Sequence, residues 1–325
     1  MSVARRRVAG ARPAEDRAAG GQKQRSKAGP MSREADARVL RLPDGRRLGF
    51  AEYGAPDGRP LLFFHGTPGA RLMARFAHPD ALRHRVRIVA PERPGYGLSD
   101  VQPGRTIGHW PDDVAALADS LGLERFALAG VSGGAPYVAA CAHRMPQRVR
   151  VAGIVSGVGP LDDPVVAAAL SAAQRRTLAV LGQAPRAMRS LAALPAGLVR
   201  RFPLRALELI APLQPPSDRA LLARPEVRAA LVDDLRQALR QGGRAVLDDL
   251  MLFGQPWGFR LEDVAVPVEL WHGEADAQVP VAVGRRVAHR LPWCRGRFIA
   301  EAAHLWLFEH CEEVLTTLCP PQDFS

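Results

Sequence analysis

The 325-residue chain predicts a doubly wound, mostly parallel α/β sheet with an inserted helical cap, on three observations. Short apolar runs closed by Gly or Pro recur before residue 158 and again after residue 262, which suits strands buried on both faces of a parallel sheet. A helical pattern lies between such runs, and that alternation marks a doubly wound sheet. From about 158 to 262 the strand signals vanish. Ala/Leu/Arg-rich helical segments replace them, interrupted at Pro195, Pro203, Pro212, Pro215, Pro216 and Pro225.

Residues 1–36 are poor in large apolar side chains and are expected to form a disordered basic tail. Residues 1–30 hold eight Lys/Arg against two acids, so +6 of the formal +11 belongs there and only +5 to the rest. Translation is expected to start at Met31, just ahead of the first orderly segment. Val39–Leu42, the turn Pro43-Asp44-Gly45 and Leu48–Ala51 then read as a hairpin. Further strands are expected at Leu61–Phe64, Val86–Ala90, Phe126–Ala129, Val151–Val155, Val266–Trp271 and Arg297–Ala300. Asp112–Leu121 has apolar residues at helical spacing and stops before Gly122. The expected domains are the tail 1–36, a first core part 37–157, the cap 158–262 and a second core part 263–325.

Composition excludes several classes of function. At 47% hydrophobic and 24% charged, the chain is an ordinary globular one. No Lys/Arg run is interleaved with aromatics, so no nucleic-acid partner is expected. No apolar run is long enough to span a bilayer, and no apolar stretch follows Arg5-Arg6-Arg7 as an export signal requires. Four scattered cysteines without a C-x-x-C suggest reduced thiols in a cytoplasmic setting. Phosphate loops, dinucleotide fingerprints and metal-ligand clusters are missing, so no cofactor and no metal are expected. The partner expected is a small-molecule substrate; a homo-oligomer is left open.

The chemistry concentrates in loops after strands. Gly130-Val131-Ser132-Gly133-Gly134 fits G-x-S-x-G, after an apolar run and before a helix-compatible segment. A serine on such a sharp turn needs small neighbours, and the turn aims the Gly133 N–H toward a developing oxyanion. His65-Gly66-Thr67-Pro68-Gly69 follows the Leu61–Phe64 run and offers a second oxyanion N–H at Thr67. A serine hydroxyl is a weak nucleophile unless a base sits beside it. Asp276, after the Val266–Trp271 run, and His304, after the last strand, complete the chain order Ser…Asp…His. Asp162 and Asp163, just past Val151–Gly157, are a backup acid.

These motifs, with Arg93-Pro94-Gly95-Tyr96-Gly97-Leu98-Ser99-Asp100 and Gly273-x-x-Asp276-x-x-Val279-Pro280, resemble the α/β-hydrolase superfamily in its helical-cap serine hydrolase branch, over roughly residues 38–318. The resemblance implies Ser132 as nucleophile, His304 as base and then acid, and Asp276 as orienting acid. It also implies an oxyanion hole from the N–H groups of Thr67 and Gly133. Epoxide hydrolases and haloalkane dehalogenases of this superfamily carry aspartate at the elbow, so serine points away from both. Prolyl aminopeptidases usually have a second glycine where this chain has Thr67. Glu92 departs from the aspartate often found before Arg-Pro-Gly, a segment expected to be structural. The activity expected is hydrolysis of small, largely apolar carboxylic esters through an acyl-enzyme. A carbon–carbon bond hydrolase or haloperoxidase-like enzyme is the alternative within the fold, and a small-molecule receptor with slow or no turnover the alternative outside catalysis. Met188, Phe202, Met251, Leu252, Phe253, Trp257 and Phe259 are candidates for an apolar pocket roof or for packing within the cap. Arginines facing the pocket would favour an acidic dienoic substrate.

Overall fold

The computed structural model describes residues 37–183 and 194–321. Residues 1–36 and Met188 lie outside them. Eight strands form one sheet: β1 (Arg38–Arg41), β2 (Arg47–Gly54), β3 (Arg59–Phe64), β4 (Val86–Pro91), β5 (Phe126–Val131), β6 (Val149–Val155), β7 (Val268–Gly273) and β8 (Cys294–Ile299). Their order is β1-β2-β4-β3-β5-β6-β7-β8. The hairpin β1–β2 is antiparallel, and β2 pairs antiparallel with β4. From β4 to β8 every pairing is parallel. All six residues of β5 are buried, as a strand covered on both faces requires.

Alternate side chains feed two apolar layers. Leu62 and Phe64 join one with Val114, Leu117, Tyr137 and Val138. Leu61 and Phe63 join the other with Ala81, Val314 and Leu315. The helices supplying those layers are α1 (His78–Arg83), α2 (Trp110–Ser120), α3 (Ala135–Arg144) and two later ones, Val281–Arg290 and Cys311–Leu318. Cys141 is fully buried on α3, where burial pushes its thiol pKa well up; it is a packing residue.

The β6–β7 connection is helical: α4 (Pro164–Ala169), α5 (Ala172–Gln183), α6 (Leu194–Arg201), α7 (Pro203–Ile210), α8 (Pro216–Ala223), α9 (Pro225–Ala238) and α10 (Arg244–Phe253). Among its described residues there is no strand. Three of the prolines that interrupt the sequence pattern, Pro203, Pro216 and Pro225, open helices instead of breaking them. A proline costs nothing at the first helical position, because that N–H has no partner inside the helix. Returning to the sheet, α11 (Val281–Arg290) and α12 (Cys311–Leu318) flank β8 in sequence. That strand starts at Cys294, three residues ahead of the apolar run. Its Arg295 and Gly296 are exposed at the sheet edge and carry no apolar signal. No helix among the described residues is long and apolar enough to cross a membrane.

Candidate active site

Ser132 stands directly after β5, half-buried, with φ +53°. A non-glycine residue in this left-handed region costs about 1–3 kcal/mol and persists only where its surroundings impose it. Here the next two positions are too tight for side chains. A Cβ on Gly134 would lie 2.4 Å from the Phe64 carbonyl oxygen, and one on Gly133 would lie 2.4 Å from Thr67 Oγ1. The elbow is thus pressed against the loop after β3. Gly66 belongs to the same contact, since a Cβ there would lie 3.6 Å from Ser132 Cβ. Gly130 and Gly69 are also crowded, against Val138 and against the Gly66 carbonyl.

Arg93 organises that loop. Its guanidinium donates to the carbonyls of His65 (2.5 Å) and Gly66 (2.8 Å), and to Thr67 Oγ1 (2.8 Å). His65 is buried; its Nδ1–H donates to the Gly66 carbonyl, and its Nε2 accepts from the Arg93 N–H. Burial, reinforced by the Arg93 charge, holds the His65 pKa well below the usual histidine value, so the ring is a neutral support. The Thr67 backbone N–H donates to no described residue. Glu92 is fully buried, pairs with Arg71 at 2.7 Å and accepts from the Leu98 N–H, a structural role for the residue that departs from the resemblance.

The loops after β7 and β8 bring Asp276 and His304 together. Nδ1 of His304 lies 2.8 Å from Asp276 Oδ2, and both residues are buried. The other Asp276 oxygen accepts from the N–H groups of Gln278 and Val279, both at 2.9 Å. Burial raises the Asp276 pKa, but the His304 hydrogen bond and charge, with the Val279 N–H, outweigh it and hold the carboxyl below its usual value. An ionised Asp276 only accepts, so the Nδ1 proton belongs to His304, and in the neutral ring the lone pair is on Nε2. Among the described residues no hydrogen bond joins Ser132 Oγ to His304. Serine and histidine share the edge of the sheet formed by the C-terminal ends of the parallel strands, where open α/β sheets bind ligands.

Asp163 is engaged elsewhere. It caps α4 through the Val165 N–H and pairs with Arg286 (2.7 Å) and Arg290 (3.3 Å), while Asp162 is exposed. His310 stacks on Trp306 with ring centroids 4.3 Å apart.

Three further residues were not anticipated from the sequence: Asp218, Asp234 and Asp249, all buried and all from the insertion. Asp249 accepts from Thr67 Oγ1, Arg93, Tyr96, Arg105 and Tyr137. Burial raises its pKa, but the Arg93 and Arg105 charges prevail and hold it far below the usual value. Asp234 accepts from the Ala70 N–H, and Asp218 from the N–H groups of His304 and Leu305. The available signal was periodicity: Asp249 lies four residues from both Ala245 and Phe253 on the buried face of α10.

A cavity of about 340 Å³ adjoins the elbow. Its walls include Val158, Leu161, Leu170, Leu250, Phe253 and Val279, with no charged side chain among the lining residues. It touches both halves of the site. Val158 donates its N–H to the Ser132 carbonyl, Phe253 lies against Gly133, and Val279 donates to Asp276. Of the expected roof residues, Phe253 lines the cavity. Phe202 is exposed, whereas Trp257 and Phe259 pack with each other. Among the described residues there is no cluster fit to hold a metal ion.

Residues 59–310 match the family model described as alpha/beta hydrolase fold. A non-heme chloroperoxidase of Streptomyces lividans is 36% identical over 126 residues, 36% of this chain and 44% of that protein. A 2-hydroxy-6-oxo-2,4-heptadienoate hydrolase of Pseudomonas putida is 36% identical over 123 residues, with the same shares. The matches thus span less than half the length of these curated relatives. Among solved structures, a thermophilic esterase from Thermogutta terrifontis superposes with a TM-score of 0.63 at 23% identity, over 87% of this chain and 96% of that one. A bromoperoxidase from Bacillus anthracis gives 0.67 at 20% identity, over 87% and 99%. At such identities the superpositions speak for the fold alone.

Proposed function

The chain belongs to the alpha/beta hydrolase fold family, and from that premise we propose that it is a serine hydrolase of small, largely apolar carboxylic esters. Ser132 is the nucleophile, His304 the general base and then acid, and Asp276 the group that orients His304 and stabilises its charged form. Ser132 Oγ attacks the ester carbonyl as its proton passes to His304 Nε2. The N–H groups of Thr67 and Gly133 hold the oxyanion. The alcohol leaves with the proton from His304, and water, activated by the same base, then releases the acid and frees Ser132. In the resting protein the Ser132–His304 hydrogen bond is unformed, and substrate binding closes it. The helices between β6 and β7 act as a cap, with Leu170, Leu250 and Phe253 among its contributions to the acyl site.

The observation that carries this reading is a strained Ser132 and a buried His304–Asp276 pair, with a largely apolar cavity whose walls Val158, Phe253 and Val279 contact the Ser132 carbonyl, Gly133 and Asp276. Its lining has no charged side chain, only Gln174, Thr177 and Gln278 as polar ones, which supports the ester reading over the carbon–carbon one. A dienoate, such as the name of the Pseudomonas putida relative prints, carries a carboxylate, and burying it without a cation to pair it is costly. Nitrophenyl esters of increasing acyl length, assayed beside a ring-fission dienoate, test the proposal. Turnover of the esters, lost in Ser132→Ala, is expected. Turnover of the dienoate alone would move the assignment to carbon–carbon bond cleavage. Saturable ester binding without turnover would favour the receptor.

A further inference from the structure

Each of the three buried carboxylates of the insertion grips a different stretch of core loop. Asp249 holds the side chain of Thr67, Asp234 the backbone of Ala70, and Asp218 the backbone of His304 and Leu305. Asp218 differs from the others in what lies beside it. Its Oδ2 accepts from the His304 N–H at 3.2 Å and its Oδ1 from the Leu305 N–H at 2.9 Å, and the residue is 1% exposed. Two backbone donors therefore meet two separate oxygens. A carboxylate satisfies both, whereas an amide offers one acceptor and turns its NH2 toward the other donor.

We infer that Asp218 is a positioning residue for His304: it fixes the backbone of the general base, and its charge, with that of Asp276, favours the imidazolium formed as Ser132 loses its proton. The charge part follows from placement. The titratable groups facing His304 among the described residues are Asp276 on the β7 loop, Asp218 on α8 and, behind Asp276, His272 at the end of β7. His272 gives its Nε2–H to the Val279 carbonyl at 2.8 Å, and burial lowers its pKa, so it adds no positive charge at neutral pH. Burial raises the Asp218 pKa, and the two N–H bonds and His304 oppose that rise. The imidazolium thus forms between two buried carboxylates, where charge interactions are weakly screened. The insertion contributes to the chemical step as well as to the acyl cavity.

The catalytic half of this inference rests on the serine-hydrolase reading; the effect on His304 does not. The test is Asp218→Asn, with Asp218→Ser as a second variant should the first fold poorly. Both are examined by thermal melting, by ester kinetics per fluorophosphonate-titrated site, and by a 15N-histidine titration in which His304→Gln identifies the His304 resonances. We expect kcat per titrated site to fall about 10- to 100-fold, as for a reacting group displaced by a fraction of an ångström, with KM within about threefold. The acidic limb of kcat/KM should move to lower pH, and the His304 titration should move with it, because removing a nearby negative charge disfavours the imidazolium. Unchanged kcat per site together with an unmoved His304 titration would overturn the inference. An unlabelled wild-type protein would instead remove the serine-hydrolase reading, and the titration would then decide the electrostatic claim by itself.

Discussion

Replacing Asp249 by Asn removes the one carboxylate shared by two buried arginines. The Arg93 and Asp249 side chains are 0% exposed and that of Arg105 is 5% exposed. One oxygen of Asp249 takes donors from Thr67, Arg93 and Tyr96, the other from Arg105 and Tyr137. The amide keeps one acceptor and turns an NH2 toward donors on the other side. Both guanidinium charges lose their counter-ion. Breaking a buried pair by removing one partner costs about 3–5 kcal/mol, and two stranded cations place this case near the upper end. For a chain of this size each kcal/mol shifts Tm by about 2 °C, so a drop of about 8–10 °C is expected by calorimetry or by near-UV circular dichroism. Turnover should also fall, since Arg93, which donates to Thr67, loses its charged partner. A Tm within about 2 °C of wild type would refute the reasoning, because it would mean that solvent or neighbouring groups neutralise both arginines without Asp249.

The other predictions are simpler. Ser132→Ala should lower ester turnover by about 10⁴-fold or more with the fold intact, read by initial rates and a melt. Asp276→Asn should cost about 10⁴-fold through the wrong His304 tautomer. Asp163→Asn should leave turnover within about tenfold, since Asn keeps an acceptor for the Val165 N–H cap and loses only the Arg286 and Arg290 ion pairs; the reverse pattern would move the acid to the loop after β6. Stability should fall in acid. The Asp249 and Asp276 pKa values are depressed in the folded state, so their contributions are present above about pH 4 and are lost as the pH drops through the folded values. Melting curves from pH 7 to 2 should show that loss, and a flatter one in Asp249→Asn. Leu170→Trp should fill part of the cavity and shorten the preferred acyl chain, read as a shift in the kcat/KM optimum across an ester series.

The strands were legible because a strand covered on both faces must be apolar where it is covered: β5 is apolar throughout, and β3 carries Leu61–Phe64 at its buried end. The edge strand β8 escaped in part for the same reason, since its exposed Arg295 and Gly296 need not be apolar. Ser132 was legible because the turn that strains it demands small residues on both sides, and sterics write that demand into neighbouring positions. Asp276 and His304 were legible through their order and their loops. Asp218, Asp234 and Asp249 were not. A single Asp on a polar-looking helix resembles a solvent-facing residue until the core loops that it serves are brought beside it. Arg93 showed half of the pattern: its motif was readable as structural, but its partner lies 156 residues away.

The central claim is an activated serine, and the most direct measurement is covalent labelling with a fluorophosphonate followed by peptide mass mapping, on wild type and His304→Ala. A single adduct on Ser132, formed rapidly in the wild type and at least about 10²-fold more slowly without His304, is the predicted result. Labelling at another residue, or equal labelling of Ser132 in both proteins, would contradict the account.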